Sequence, residues 1–242
     1  MPYSYETIRV EEKGAAHWLT LNRPDSLNAI TTKMAGELAD YFGRLYHDRS
    51  CRVVVIRGAG RAFCAGLDIK SRGEGVTPFG GGYGFQGYLA DVYIKMRRCP
   101  QPIVALVHGA ACGGGLAFAL ASDIRIAGES VRMNAAFIKL GLSSCDMGVS
   151  YFLPRVVGLV SEVVPDAQLE DTGQSYVDDM LAAAPMGLRL TKEGLALAVD
   201  APSLEAAMAI ENRNQVLCAR SADFAEGLRA FLEKRPPGYK DA

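Results

Sequence analysis

Ala62-Phe63-Cys64-Ala65-Gly66-Leu67-Asp68-Ile69-Lys70 and, some way downstream, His108-Gly109-Ala110-Ala111-Cys112-Gly113-Gly114-Gly115-Leu116 are the two stretches on which the reading of this chain turns. Each follows a short run rich in β-branched residues, Val53-Val54-Val55-Ile56 in the first case and Ile103-Val104-Ala105-Leu106-Val107 in the second. Continuous apolar runs of that length, ending at glycine, are the pattern of strands buried on both faces of a parallel sheet. A helical spacing from Tyr88 to Arg98 separates the two runs, and another, Leu116 to Ala121, follows the second. Strand, helix, strand, helix is the order of an α/β fold. Both stretches are small-residue backbone, which lets a ligand come within hydrogen-bond reach of main-chain N–H groups. A helix that begins at the glycine triplet also turns its positive dipole end toward that ligand. Such a pair of turns can hold an oxyanion; the plainer use of the three glycines is close packing of a helix on a sheet.

Upstream, His17-Trp18-Leu19-Thr20-Leu21 reads as a strand closed by the turn residues Asn22-Arg23-Pro24-Asp25. Thr31 or Thr32 then caps a helix whose apolar face is Met34, Leu38, Phe42 and Leu45. Glycine crowds residues 73–87, with Pro78 among them, and marks a loop. From Gln168 onward the pattern is helical, with helices expected over Tyr176 to Ala184, Gly187 to Val199, Ser203 to Ala219 and Asp223 to Lys234. The expected division is a core over residues 1–184 and a helical region over 185–242.

With 242 residues, about half of them apolar, the chain can bury a full core, so disorder is excluded. Its net charge of -1 provides no basic field for nucleic acid. No apolar run approaches the ~18 residues of a membrane span, and Met-Pro-Tyr-Ser-Tyr-Glu-Thr lacks the layout of a secretory signal, so a cytoplasmic location is expected. The six cysteines are scattered without a Cys-x-x-Cys pair; reduced thiols are expected and no metal site. Gly58-Ala59-Gly60 places Phe63 where a dinucleotide fingerprint needs its third glycine, and the glycine triplet lacks the lysine of a phosphate loop. His108 reads as structural, His17 and His47 as surface residues.

Four groups of residues resemble, in kind and in order, the landmarks of the enoyl-CoA hydratase/isomerase (crotonase) family. They are Asn22-Arg23-Pro24 with Leu27-Asn28-Ala29; Phe63 to Asp68; Gly113 to Gly115 with Ser122-Asp123; and Glu226-Gly227 with Ala230 to Arg235. The resemblance covers nearly the whole chain. It implies a crotonase-like spiral of ββα units with a C-terminal helical trimerisation region, assembled as a homotrimer or a dimer of trimers. It implies an acyl-CoA thioester as substrate, with coenzyme A part of that substrate and no separate cofactor. The N–H groups of Ala65 and Gly114 would then bind the thioester oxygen. The adenosine end of CoA would lie near Leu27, Asp68 and Lys70, with Phe231 and Lys234 reaching the CoA of the same or a neighbouring subunit. Helix packing for Phe231 and a solvated helix end for Lys234 are the plainer readings.

The acid–base residues depart from the family pattern. Family hydratases carry two glutamates; the matching positions here are Ala117 and Phe137, neither able to move a proton. Asp146, counted back from Leu153-Pro154, matches the aspartate of the family's dienoyl-CoA isomerases, and an acid against apolar walls would be suited to proton transfer. The same residue could instead cap a helix starting near Met147. Leu153 to Gly158 also runs directly into Leu159 to Pro165, where relatives place a further helix and loop. Loss of that helix would expose apolar sheet, which favours a segment missing from the sequence as written over a true deletion. The expected activity is enoyl-CoA hydration or isomerisation; hydrolysis or decarboxylation of a CoA ester, or acyl-CoA binding without catalysis, are the alternatives.

Overall fold

A computed structural model describes residues 3–68, 82–135, 147, 149–152, 160–200, 202, 209, 210, 213, 214, 216–218 and 220–241. Its main sheet contains β1 (Ile8–Lys13), β2 (Ala16–Leu21), β3 (Val53–Gly58), β4 (Ile103–Val107), β6 (Ile124–Gly128) and β8 (Glu162–Val164) in the order β1-β2-β3-β4-β6-β8. Only the β1–β2 hairpin is antiparallel. Period-two alternation sends successive residues of each strand to opposite faces. Val54, Ile56, Ile103, Ala105 and Val107 thus join the core beneath helices α1 (Thr32–Leu45), α2 (Gly82–Arg98) and α3 (Gly114–Ala121). Trp18, Val53, Val55, Val104 and Leu106 face α5 (Leu169–Ala182) through Leu169 and Val177. This double cover is why β3 and β4 are apolar at every core position.

A second, smaller sheet runs alongside the first. Its strands β5 (Ala110–Cys112) and β7 (Arg132–Asn134) pair in parallel, and single bridges Cys64–Ala111 and Ile30–Leu67 continue the same arrangement. Each main strand is therefore followed by a short extended piece and then a helix: β2, Ile30 and α1; β3, Cys64 to Leu67 and α2; β4, β5 and α3. These are three turns of a ββα spiral. Further helices are short α4 (Val149–Phe152) and the C-terminal α6 (Pro185–Ala198) and α7 (Ala222–Glu233). No helix among the described residues is long and apolar enough to cross a membrane.

Three sequence expectations are corrected. His17 is buried in β2, where its Nδ1 lies 3.3 Å from the Tyr41 hydroxyl and burial lowers its pKa. Residues 82–87 of the glycine-rich stretch lie in α2, while 73–81 fall outside the described residues. Helix α5 begins at Leu169, ahead of Tyr176, and admits Gly173 because a Cβ there would meet Leu106 Cδ2 at 2.6 Å.

One charged node ties the layers together. Asp123 accepts hydrogen bonds from the Ile103 N–H (2.8 Å) and Arg97 (2.8 Å) and pairs with Lys192 (2.9 Å), which also donates to the Gln101 carbonyl. The node joins α2, β4, the start of β6 and α6. Asp123→Ala is expected to lower stability by about 2–3 kcal/mol, because the largely buried Lys192 loses its counter-charge; Arg97 keeps enough solvent to hold the loss below that of a fully buried pair. A denaturant titration showing a shift under about 0.5 kcal/mol would refute this. Beside the node lies a cavity of about 480 Å³ walled by Leu120, Ile124, Phe152, Met180, Leu188 and Leu195.

Candidate active site

The site begins at the turn after β2. Leu27 and Asn28 both adopt left-handed backbone, φ 51° and 56°, and the buried Asn28 side chain makes that turn possible. Its amide donates to the carbonyls of Ala59 and Ala62 at 2.8 Å each, and its oxygen accepts from the Arg23 N–H at 2.9 Å. The Asn28 amide thus fastens the turn to the loop after β3. Arg23 pairs with Asp68 at 2.9 Å, closing the same loop from its far end.

The Cys64–Asp68 segment is pinned on both sides. Cys64 donates to Ala110 and its carbonyl accepts from Cys112, on the β5 side. On the other side Ala65 donates to the Leu27 carbonyl (3.0 Å), Gly66 accepts from the Ile30 N–H (2.8 Å) and Asp68 donates to Ile30 (2.9 Å). The Ala65 N–H is therefore spent inside the fold, which corrects the expectation that it faces a ligand. The next peptide but one behaves differently. Its plane is trans, so the Gly66 carbonyl and the Leu67 N–H point in opposite directions. With the carbonyl turned to Ile30, the Leu67 N–H points toward the glycine triplet. Gly66 permits this with φ 95°, and a Cβ there would lie 2.7 Å from the Cys112 carbonyl and 3.6 Å from the Gly114 nitrogen.

The same argument fixes Gly114. The Gly113 carbonyl accepts from Ala117 at 3.0 Å and so points along α3, leaving the Gly114 N–H to point out of the helix start. Neither the Leu67 nor the Gly114 N–H points along the bond made by its own peptide's carbonyl, and the dipole of α3 stands behind the second of them. The signal for Leu67 was present in the sequence, since Gly66 marks the peptide that must turn, but only the pairing of Ile30 shows which neighbour is released.

Around these donors the walls are apolar. Ala117 is buried within α3. The Tyr93 hydroxyl, unremarked in the sequence, donates to the Gly114 carbonyl at 3.0 Å and touches Met147 Sδ at 3.3 Å, while its ring lies 4.9 Å from that of Phe118. Met147 is buried and holds φ 49°. Asp146, Phe137 and Lys70 lie outside the described residues, and of Phe231 only its place in α7 is described. Helix α4 begins at Val149. Lys234 is exposed at the end of α7 with φ 54°, far along the chain from the donor turns. His108 Nε2 donates to the Gly60 carbonyl, 2.8 Å away, which steadies the loop after β3.

The sequence model of the family described as enoyl-CoA hydratase/isomerase matches residues 11–158 and 156–242. The chain belongs to that family. Its members include a probable enoyl-CoA hydratase, EchA12, of Mycobacterium tuberculosis, 36% identical over 252 residues that span 92% of this chain and 88% of the relative. The 1,2-epoxyphenylacetyl-CoA isomerase of Escherichia coli is 33% identical over 255 residues, 94% of this chain and 95% of that one. Among solved structures, an enoyl-CoA hydratase of Bacillus anthracis superposes with a TM-score of 0.91 at 27% identity, covering 98% of this chain and all of the other. The fold is the crotonase fold, and the chain is an enzyme of the hydratase/isomerase family. The two matches of the family model meet at residues 156–158. Since 92% of 242 residues is about 223, close to 29 of the 252 positions aligned with EchA12 carry no residue of this chain.

Proposed function

We propose that this member of the family isomerises an enoyl-CoA, using one carboxylate to move a proton across an enolate held by the N–H groups of Leu67 and Gly114. What supports the reading is that the Gly66 and Gly113 carbonyls are both bonded within the fold, which turns the Leu67 and Gly114 N–H groups away from those bonds, with a buried Ala117 in the same helix. In a 2-enoyl-CoA the Asp146 carboxylate would remove a proton from Cγ, the electrons would pass to the thioester oxygen, and the same acid would return the proton to Cα. One acid suffices for that 1,3 shift. Hydration, by contrast, needs one group to activate water and another to protonate Cα. Hydration stays as the second reading because the EchA12 relative carries that name.

The turn of Leu27 and the Asp68 loop supply a wall for the CoA moiety, with Lys70, Phe231 and Lys234 as further contacts. Asp68 is tied to Arg23, so its negative charge is offset before a phosphate approaches. Coenzyme A enters as part of the substrate and no separate cofactor is required. A homotrimer or a dimer of trimers fits the exposed Leu195 of α6, Val199 just past its end and Phe224 of α7. The buried reduced thiols of Cys51, Cys64 and Cys99 suit a cytoplasmic, reducing location.

The test is to incubate the enzyme with 2-enoyl- and 3-enoyl-CoA of several chain lengths in deuterium oxide and follow products by mass. Migration of the double bond with solvent deuterium incorporation is expected. Formation of a 3-hydroxyacyl-CoA at comparable rate would replace isomerisation by hydration, and no turnover of any ester would defeat both.

A further inference from the structure

Helix α3 starts on three consecutive glycines, and its N-cap Gly113 provides no side-chain capping bond. Glycine has the most backbone freedom to lose on ordering, so this is an intrinsically soft helix start. An oxyanion donor works only if it is held in place before charge develops. Something outside α3 must supply that rigidity.

The Tyr93 hydroxyl is suitably placed. It comes from α2, is buried, and donates to the carbonyl of Gly114 itself at 3.0 Å. Its ring is braced against Phe118, one turn further along α3. The same hydroxyl meets Met147 Sδ at 3.3 Å, and Met147 is the residue that follows Asp146 in the chain. A Cβ on Gly114 would lie 2.9 Å from the Tyr93 hydroxyl and 3.0 Å from Met147 Sδ, so all three groups meet at one point. We infer that Tyr93 is a positioning residue that fixes the peptide following the Gly114 donor, and through the Gly114 Cα the donor N–H itself. The inference rests on the reading of Leu67 and Gly114 as thioester donors. It assigns Tyr93 no proton transfer.

Tyr93→Phe removes the hydroxyl and keeps the ring on Phe118. The probe is dimethylaminocinnamoyl-CoA, a push–pull enoyl thioester whose absorption moves to the red as its carbonyl is polarised. The wild-type enzyme is expected to shift the bound probe to the red. The variant should bind it within about threefold of wild type, yet show no more than half the shift. On 2-enoyl-CoA its kcat should fall about tenfold, with KM within about threefold. An unchanged shift in the variant, whether binding is kept or weakened, overturns the positioning role. A wild-type enzyme that binds the probe without any shift, or does not bind it, defeats the donor-pair reading itself and the Tyr93 inference with it.

Discussion

Asp146→Asn is expected to lower turnover about a thousandfold or more while binding of a saturated acyl-CoA stays within about threefold. The size follows from the role: a positioned acid–base group contributes roughly 10²–10⁴ in rate, and Ala117 leaves the neighbouring family position without a substitute. Asparagine is the informative replacement because it caps helices about as well as aspartate but cannot carry a proton. A capping role would thus survive Asp146→Asn and fail in Asp146→Ala, whereas a proton-shuttle role fails in both. The next residue, Met147, is the described neighbour of this position. Met147 is held in left-handed backbone, which is unfavourable for a side chain of that size, and it touches the hydroxyl that holds Gly114. Wild-type isomerase and hydratase rates in Asp146→Asn would remove this residue from the mechanism.

How much could be read without coordinates depended on how each segment is buried. Strands β3 and β4 are apolar throughout because both faces are covered, and the sequence names them almost to the residue. Strand β6 escapes notice because Arg125 interrupts it. That arginine is buried against the carbonyls of Ser122 and Ala119, and burial lowers its pKa, so a residue that reads as surface serves the interior. His17 misleads in the same way: a polar residue in a doubly covered strand is still inside. Strands β5 and β7 hold three residues each, too few for any periodicity to register. In the site the resemblance points to Ala65, whose N–H the structure bonds to the Leu27 carbonyl. Ala65 and Leu67 are two residues apart on an irregular segment, and which N–H is free depends on Ile30, a distant residue whose pairing no local pattern reveals. Tyr93 is invisible for a related reason, since at helical spacing it is indistinguishable from any aromatic of an amphipathic face.

Gly115→Ala tests the spacing of the two donor turns directly, and a loss of about a hundredfold in kcat/KM is expected, together with about 3 kcal/mol of stability. A Cβ on Gly115 would run into the carbonyl oxygen of Cys64, and its carbonyl carbon would be 2.8 Å away. That oxygen already accepts from the Cys112 N–H, so it cannot retreat without opening the bridge that joins the two turns. Because the obstacle is backbone, relief requires α3 to move away from the Cys64–Asp68 segment. The separation of the Leu67 and Gly114 N–H groups then grows, and the enolate oxygen can reach only one of them. Loss of one such donor is worth roughly 10²–10³ in rate, and overpacking of this kind falls at the upper end of the usual ~1–3 kcal/mol. Gly114→Ala provides the contrast. Its Cβ would meet Ile30 Cδ1 at 2.8 Å, the Tyr93 hydroxyl at 2.9 Å and Met147 Sδ at 3.0 Å, all ends of side chains that can turn aside. Its stability loss should be about 1 kcal/mol, while displacing the Tyr93 hydroxyl from the Gly114 carbonyl costs activity by the same route as Tyr93→Phe. If Gly115→Ala turns over at the wild-type rate, the two turns need not be held together and the convergent-donor account fails; if Gly114→Ala is the more destabilised of the pair, the close approach of α3 to Cys64 is not what holds them.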